Sequence, residues 1–232
     1  MVYLKYQVQT GCDYMKKLII IGFDGTIANT APGILYCMNT TALSMGYTPV
    51  SHDELYGVIG VSLEQGFMKL YGMKEDEIEY AMNQYSKLYS IKGEEMILIY
   101  DGIDDSLKKL KESGFKLAIV TQKNEKFINN MLGVYNYIGE LFDTVCATNV
   151  ELEMTKKDML LKVCADLDVD PSDALFVGDS YVDAEAAQEA GVEFAAVLYG
   201  WGFRKKADAE QYNCREYINT ARELGYKLPV IE

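Results

Sequence analysis

The chain has 232 residues, 49% of them hydrophobic, enough to bury one substantial core with a smaller accessory domain and too apolar for a disordered polymer. A formal net charge of -13 argues against nucleic acid as a partner, because phosphate backbones are held chiefly by clustered Lys and Arg. Five scattered cysteines without a C-x-x-C pair read as buried reduced thiols; with no membrane-spanning apolar run and no secretory leader, the expected setting is the cytoplasm, away from membranes.

Residues 1–14 stand apart as an N-terminal extension whose alternating Val2, Leu4, Tyr6 and Val8 leave a short edge strand open as the alternative. Leu18 to Ile21 is a run of four apolar β-formers, the pattern of a strand buried on both faces. It delivers the chain into Gly22-Phe23-Asp24-Gly25-Thr26, a loop at a strand's carboxyl end, where α/β proteins place their chemistry. From Ala31 to about Glu95 only amphipathic helical patterns follow, among them LEQGFMKLYG and DEIEYAMNQYSKLYS. Tyr80, Tyr85 and Tyr89 fall at helical spacing and read as packing within that segment, and His52 reads as part of a helix N-terminus without a catalytic role.

Four further strands are expected at Lys116 to Val120, Phe142 to Cys146, Ala174 to Val177 and Phe194 to Leu198. Helical patterns separate them at Asp104 to Ser113, Lys156 to Leu167 and Val182 to Ala190. Strands alternating with helices imply right-handed crossovers, hence an α/β fold with a doubly wound, Rossmann-like parallel sheet. The expected division is a core from residues 15–30 and 96–232, interrupted by a helical insertion over 31–95 placed where it can close over the strand ends.

The strand ends collect a constellation. The first carries Asp24-Gly25-Thr26, the second Thr121, and the fourth Gly178-Asp179-Ser180-Tyr181-Val182-Asp183, while Lys156 opens the helix after the third. Each alone is an ordinary turn, cap or solvated lysine. In this order they resemble the haloacid dehalogenase superfamily of phosphotransferases, whose motifs are Asp-x-Asp-Gly-Thr, a strand-end Thr or Ser, a Lys, and Gly-Asp-x-x-x-Asp. The helical insertion looks like that family's alpha-helical cap. YSIKG, IYDGI, TKKDMLLK, VGDSYVDAEAA and LYGWG are similar to its phosphoglycolate phosphatase and nucleotidase-like branch.

The resemblance implies a phosphatase acting on a small phosphate monoester, with Mg²⁺ as cofactor and an aspartyl-phosphate intermediate. Asp24 would then be the acid and base for leaving group and water. Thr121, Gln122, Lys156 and the backbone N–H groups of Gly25 and Thr26 would hold the phosphoryl group, and the Phe23 carbonyl, Asp24 and Asp179 would ligate the cation, with Asp183 either a direct ligand or orienting the ligands or Lys156 from behind. Lys156 is chosen over the adjacent Lys157 because the Thr-Lys form of the third motif lands on it.

The departure is at the attacking atom, since the motif puts the family's nucleophilic aspartate at Gly22. No Ser, Cys or Asp in the preceding strand replaces it. A natural loss of catalysis, a single Asp-to-Gly change and direct attack by water all remain open, and a non-catalytic phosphate- or metabolite-binding protein is the alternative function. Phosphoglycolate, a nucleoside monophosphate and pyrophosphate are all admissible ligands, and the oligomeric state is undetermined. Trp201, flanked by glycines at the end of the last strand, is a candidate for closing the site from a mobile loop.

Overall fold

The computed structural model describes residues 17–56, 62–148 and 154–230, so the 1–14 extension and Met15, the expected start of the core, lie outside it. A six-stranded sheet is built from β1 (Leu18–Ile21), β4 (Lys116–Asn124), β5 (Thr144–Thr148), β6 (Ala174–Gly178), β7 (Glu193–Val197) and β8 (Glu216–Ile218). Its order is β5-β4-β1-β6-β7-β8 with every pairing parallel. The chain runs outward from β1 through β4 to β5, then crosses to the other side for β6, β7 and β8. The carboxyl ends of β4, β1 and β6 therefore flank the reversal of strand order, where α/β sheets open a crevice.

Alternation along β1 explains its uniform hydrophobicity. Ile19 and Ile21 enter one core with Leu107, Leu110, Ile128 and Leu224, while Leu18 and Ile20 enter a second with Met159, Leu160, Val163 and Ala187. Helices Ile103–Glu112, Glu125–Val134 and Ala221–Lys227 supply the first layer; Lys156–Asp166 and Tyr181–Ala190 supply the second. The helix ends are marked locally. Asp104 and Asp105 open the first of these helices and Lys109 and Lys111 close it, complementing its dipole.

Between β1 and β4 the chain forms helices Ala31–Ser44, His52–Tyr56, Leu63–Tyr71 and Glu75–Leu88, a π-helical turn Tyr89–Gly93 and a 3₁₀ turn Glu94–Met96. Both connections of this segment meet in an antiparallel pair, β2 (Ala28–Asn29) against β3 (Leu98–Ile99). Phe67 sits edge-on to Tyr85, and Tyr85 stacks on Tyr89 with centroids 5.4 Å apart. Tyr80 does not join them: it is 58% exposed, because its position turns to the solvent face of the helix that buries Ala81 and Tyr85.

Several boundaries move for physical reasons. The strand expected at Phe142 to Cys146 starts at Thr144, since the Asp143 carboxylate accepts the Leu117 N–H and ends the preceding turn. β4 continues past Val120 through Thr-Gln-Lys-Asn with a register shift before Asn124. β2, β3 and β8 span two or three residues, too short to show a period of two. Cys37, Cys146 and Cys164 are buried free thiols, and Cys214 is half-buried. No described helix is long and apolar enough to cross a membrane.

Candidate active site

β4, β1 and β6 lie side by side, so Thr121 in β4, Asp24 after β1 and Asp179 after β6 fall on the same edge of the sheet, with Asp183 in the first turn of the helix after β6 and Lys156 at the start of its own helix. The Lys156 Nζ lies 2.7 Å from Asp183 Oδ1, both side chains largely buried. Asp183 Oδ2 accepts the Ser180 N–H at 3.0 Å and its hydroxyl at 2.7 Å, a helix capping box. Both oxygens of Asp183 are thus committed to positioning Lys156 and the helix start.

Asp179 is differently engaged. Its Oδ2 accepts the N–H groups of Trp201 at 2.8 Å and Gly202 at 3.2 Å. Burial, and then the neighbouring Asp183 charge, push its carboxyl up to about 7 against the pull of those donors. Glycines at 200 and 202 permit this wrap: a Cβ on Gly200 would lie 2.4 Å from Asp179 Cβ, and one on Gly202 2.4 Å from the Asp179 carbonyl oxygen. Close approach, rather than a mobile loop, accounts for the glycines beside Trp201. The indole itself donates through Nε1 to Asn29 Oδ1 at 3.2 Å, joining the Asp179 loop to β2. Trp201 also lines a cleft of about 350 Å³ with Asn29, Pro32, His52, Tyr100 and Arg204.

Asp24 has two partners outside the motifs. Its Oδ1 accepts the Thr30 hydroxyl and the Lys123 ammonium, the latter at 3.1 Å, and the same ammonium donates to the Tyr89 hydroxyl at 2.9 Å. The Lys123 side chain is only 7% exposed. Burial opposes its charge, but Asp24 and Tyr89 outweigh that and hold it above the ordinary lysine value. Lys123 therefore ties the crevice to the helical segment, a role the strand motifs do not announce; its one signal is a lysine inside a strand extension of polar residues. Thr121 is buried, with its Oγ1 accepting the Lys123 N–H at 3.1 Å, whereas Gln122 is exposed.

Three expected contacts do not fit. The Phe23 carbonyl accepts the N–H groups of Thr26, Ile27 and Ala28, so its lone pairs are spent in the turn and it makes a poor cation ligand. The Gly25 N–H donates to the Ala28 carbonyl and the Thr26 N–H to Phe23, so neither is aimed at a phosphoryl group. Gly25 instead lets the first loop abut the fourth, where a Cβ would lie 2.2 Å from Asp179 Oδ2.

Gly22 follows directly on β1 and donates its N–H to the Val177 carbonyl. Its φ lies outside the left-handed region, so no turn requires glycine there. A Cβ would meet Thr26 Oγ1 at 3.2 Å and the Val177 oxygen at 3.6 Å. That Thr26 hydroxyl is fully buried and has no hydrogen-bond partner. Among the described residues no three acidic, His or Cys side chains converge as a metal cluster. A divalent cation would find oxygen donors of the right kind but a single carboxylate arm, Asp179.

The profile of the haloacid dehalogenase-like hydrolases matches residues 19–197, which takes in Gly22, Asp24, Thr121, Lys156, Asp179 and Asp183 and stops short of the loop that carries Trp201. The chain belongs to that family. Among its haloacid dehalogenase-like relatives, a phosphoglycolate phosphatase of Psychrobacter arcticus is 28% identical over 87% of this chain and 90% of its own length. The pyrophosphatase PpaX of Bacillus cereus is 28% identical over 92% and 95%. A solved haloacid dehalogenase-like hydrolase from Bacteroides fragilis superposes with a TM-score of 0.82 at 27% identity, covering 90% of this chain and 99% of that one.

Proposed function

We propose that this chain is a phosphatase scaffold that binds a small phosphorylated substrate and has lost the covalent route at Gly22. The observation that carries the reading is a side chain missing at the end of β1, beside an unpartnered buried hydroxyl, in a crevice whose other charged groups are in place. Lys156, held by Asp183, and the Thr121 hydroxyl would neutralise and orient the phosphoryl group. Asp179 would hold a hydrated magnesium ion, which when bound supplies further charge neutralisation. Asp24 would pass a proton to the leaving oxygen. Lys123 and Thr30 both address its Oδ1, which leaves Oδ2 as the oxygen to face the leaving group.

The helical segment over 31–95 acts in this reading as a cap, its two connections joined at the β2–β3 pair and its Tyr89 fastened to Lys123. Relatives named for phosphoglycolate and for pyrophosphate leave the substrate as one of several compact phosphates. Without the attacking carboxylate, phosphate binding persists and turnover is slight. The test is phosphate release in Mg²⁺ from phosphoglycolate, nucleoside monophosphates and pyrophosphate, comparing this chain with Gly22→Asp. Activity appearing only in Gly22→Asp supports the reading; comparable fast turnover by the unaltered chain overturns it.

A further inference from the structure

We infer that the cleft beside Trp201 is a binding site for an aromatic monocarboxylate, which there bridges the helical segment to the loop after β7. The site lies apart from the groups proposed to hold phosphate: Asp24, Thr121, Lys156 and Asp179 do not line it, so the inference stands whether or not the chain turns over a phosphate ester. Four stretches of chain build it. Asn29 to Pro32 belong to the first connection and the helix that it opens, and His52 begins the helix His52–Tyr56. Tyr100 follows β3 on the second connection, and Leu198 to Trp201, with Arg204, come from the loop after β7.

Burial grades the cleft from floor to rim. Ala31 and Gly200 are buried, and neither has a side chain long enough to fill the space above it. Tyr100, Leu198 and Trp201 are half-buried and give ring and alkyl surface, while His52 and Arg204 are exposed. The volume of about 350 Å³ stands at the lower end of small-molecule sites and takes one ring with a short substituent. A flat ring against an indole and a phenol buries apolar area and gains from stacked or edge contacts.

Charge selects the substituent. The chain has 35 acidic residues against 22 Lys and Arg, yet none of the described residues lining the cleft is acidic, and Arg204 brings a permanent cation. A guanidinium fork matches one carboxylate through two parallel hydrogen bonds. A phosphate monoester would set two negative charges against that single guanidinium, so the monocarboxylate is the better match. Trp201 carries the consequence: its ring lines the cleft and donates through Nε1 to Asn29, and its backbone N–H donates to Asp179. An occupant stacked on that ring and touching Pro32 holds the core loop and the first connection together.

The experiment titrates the unaltered chain with benzoate and follows the emission of Trp201, the only tryptophan, with acetate and benzamide as comparators at equal ionic strength. Benzoate should change the emission saturably with a Kd on the order of 1 mM, in keeping with its size. Acetate lacks the ring and benzamide the charge, and each should bind at least about tenfold more weakly. Arg204→Gln should weaken benzoate about tenfold and keep the urea midpoint, since that side chain is exposed. With benzoate bound, amide exchange should slow at Trp201 and Gly202, whose N–H groups meet Asp179, and at Ile34, whose N–H meets the Thr30 carbonyl in the helical segment. No saturable change, equal binding of acetate or benzamide, or undiminished benzoate binding by Arg204→Gln overturns the site. Slowing on one side alone overturns the bridge. Should Arg204→Gln fail to fold, the two comparators decide the site on the unaltered chain.

Discussion

The crevice has two halves of unlike construction, one at the end of β6 and one at the end of β1. At β6, Asp179 takes two backbone donors, Asp183 takes a lysine, a hydroxyl and an N–H, and the helix after them is capped by the same atoms. At β1, Gly22 contributes nothing beyond the backbone, and the Thr26 hydroxyl beside it has no partner. The strand itself is unaffected, because Leu18 to Ile21 do the packing and are all fully buried. Residue 22 thus adds no side chain to the β1 half, while the β6 half keeps a network that does not pass through it.

Restoring the missing half is the largest perturbation available. Gly22→Asp should raise phosphate release by as much as about 10⁶, the scale of a lost nucleophile elsewhere, read as initial rates against the unaltered chain. A rise below tenfold on every compact phosphate would mean that the two halves do not form one catalytic unit.

Breaking the intact half comes next. Lys156→Met strands Asp183 in a buried setting and should lower stability by about 3 kcal/mol, seen in the urea midpoint. Milder loss would show that the pair relaxes into water. Lys123→Met in the Gly22→Asp background should reduce turnover by about 10², since Asp24 loses its counter-charge and the helical segment loses its tie through Tyr89; the rate and its pH profile report the two effects separately. Asn29→Ala removes the acceptor of the Trp201 indole for about 1 kcal/mol and should alter the emission of that residue, the only tryptophan in the chain.

The smallest effect lies outside the crevice and serves as its reference. Asp143 is held below the usual aspartate range: burial opposes this, but the Lys111 ammonium and the Leu117 N–H prevail. Its folded value being depressed, the contribution is present above the ordinary aspartate range and fades as pH falls through the folded value. With the pair about a third exposed, Asp143→Asn should cost less than about 1 kcal/mol at neutral pH, and less still in acid, with phosphate binding unchanged by calorimetry.

How far the site could be read in the sequence depended on the range of its contacts. Asp24, Thr121 and Asp179 end contiguous apolar runs, so their placement at strand ends follows from a local pattern, and the run of helices after Asn29 declares itself by period. The spent Phe23 carbonyl and the turn-bound N–H groups of Gly25 and Thr26 were hidden, although they are local, because residue identity does not say which way a peptide plane points. Tyr80 turned outward for a similar reason: tyrosine suits both a core and a solvent face.

By itself the sequence determined the α/β alternation, the order of the four motif positions, and a glycine without a side chain at residue 22. Tertiary structure alone decided that Lys123 joins Asp24 to Tyr89 and that Trp201 joins Asp179 to Asn29. Hydrophobic periodicity is set by neighbours a few positions away and survives in one dimension, whereas these contacts link residues 22 to 172 positions apart and exist only once the sheet has brought β4, β1 and β6 side by side.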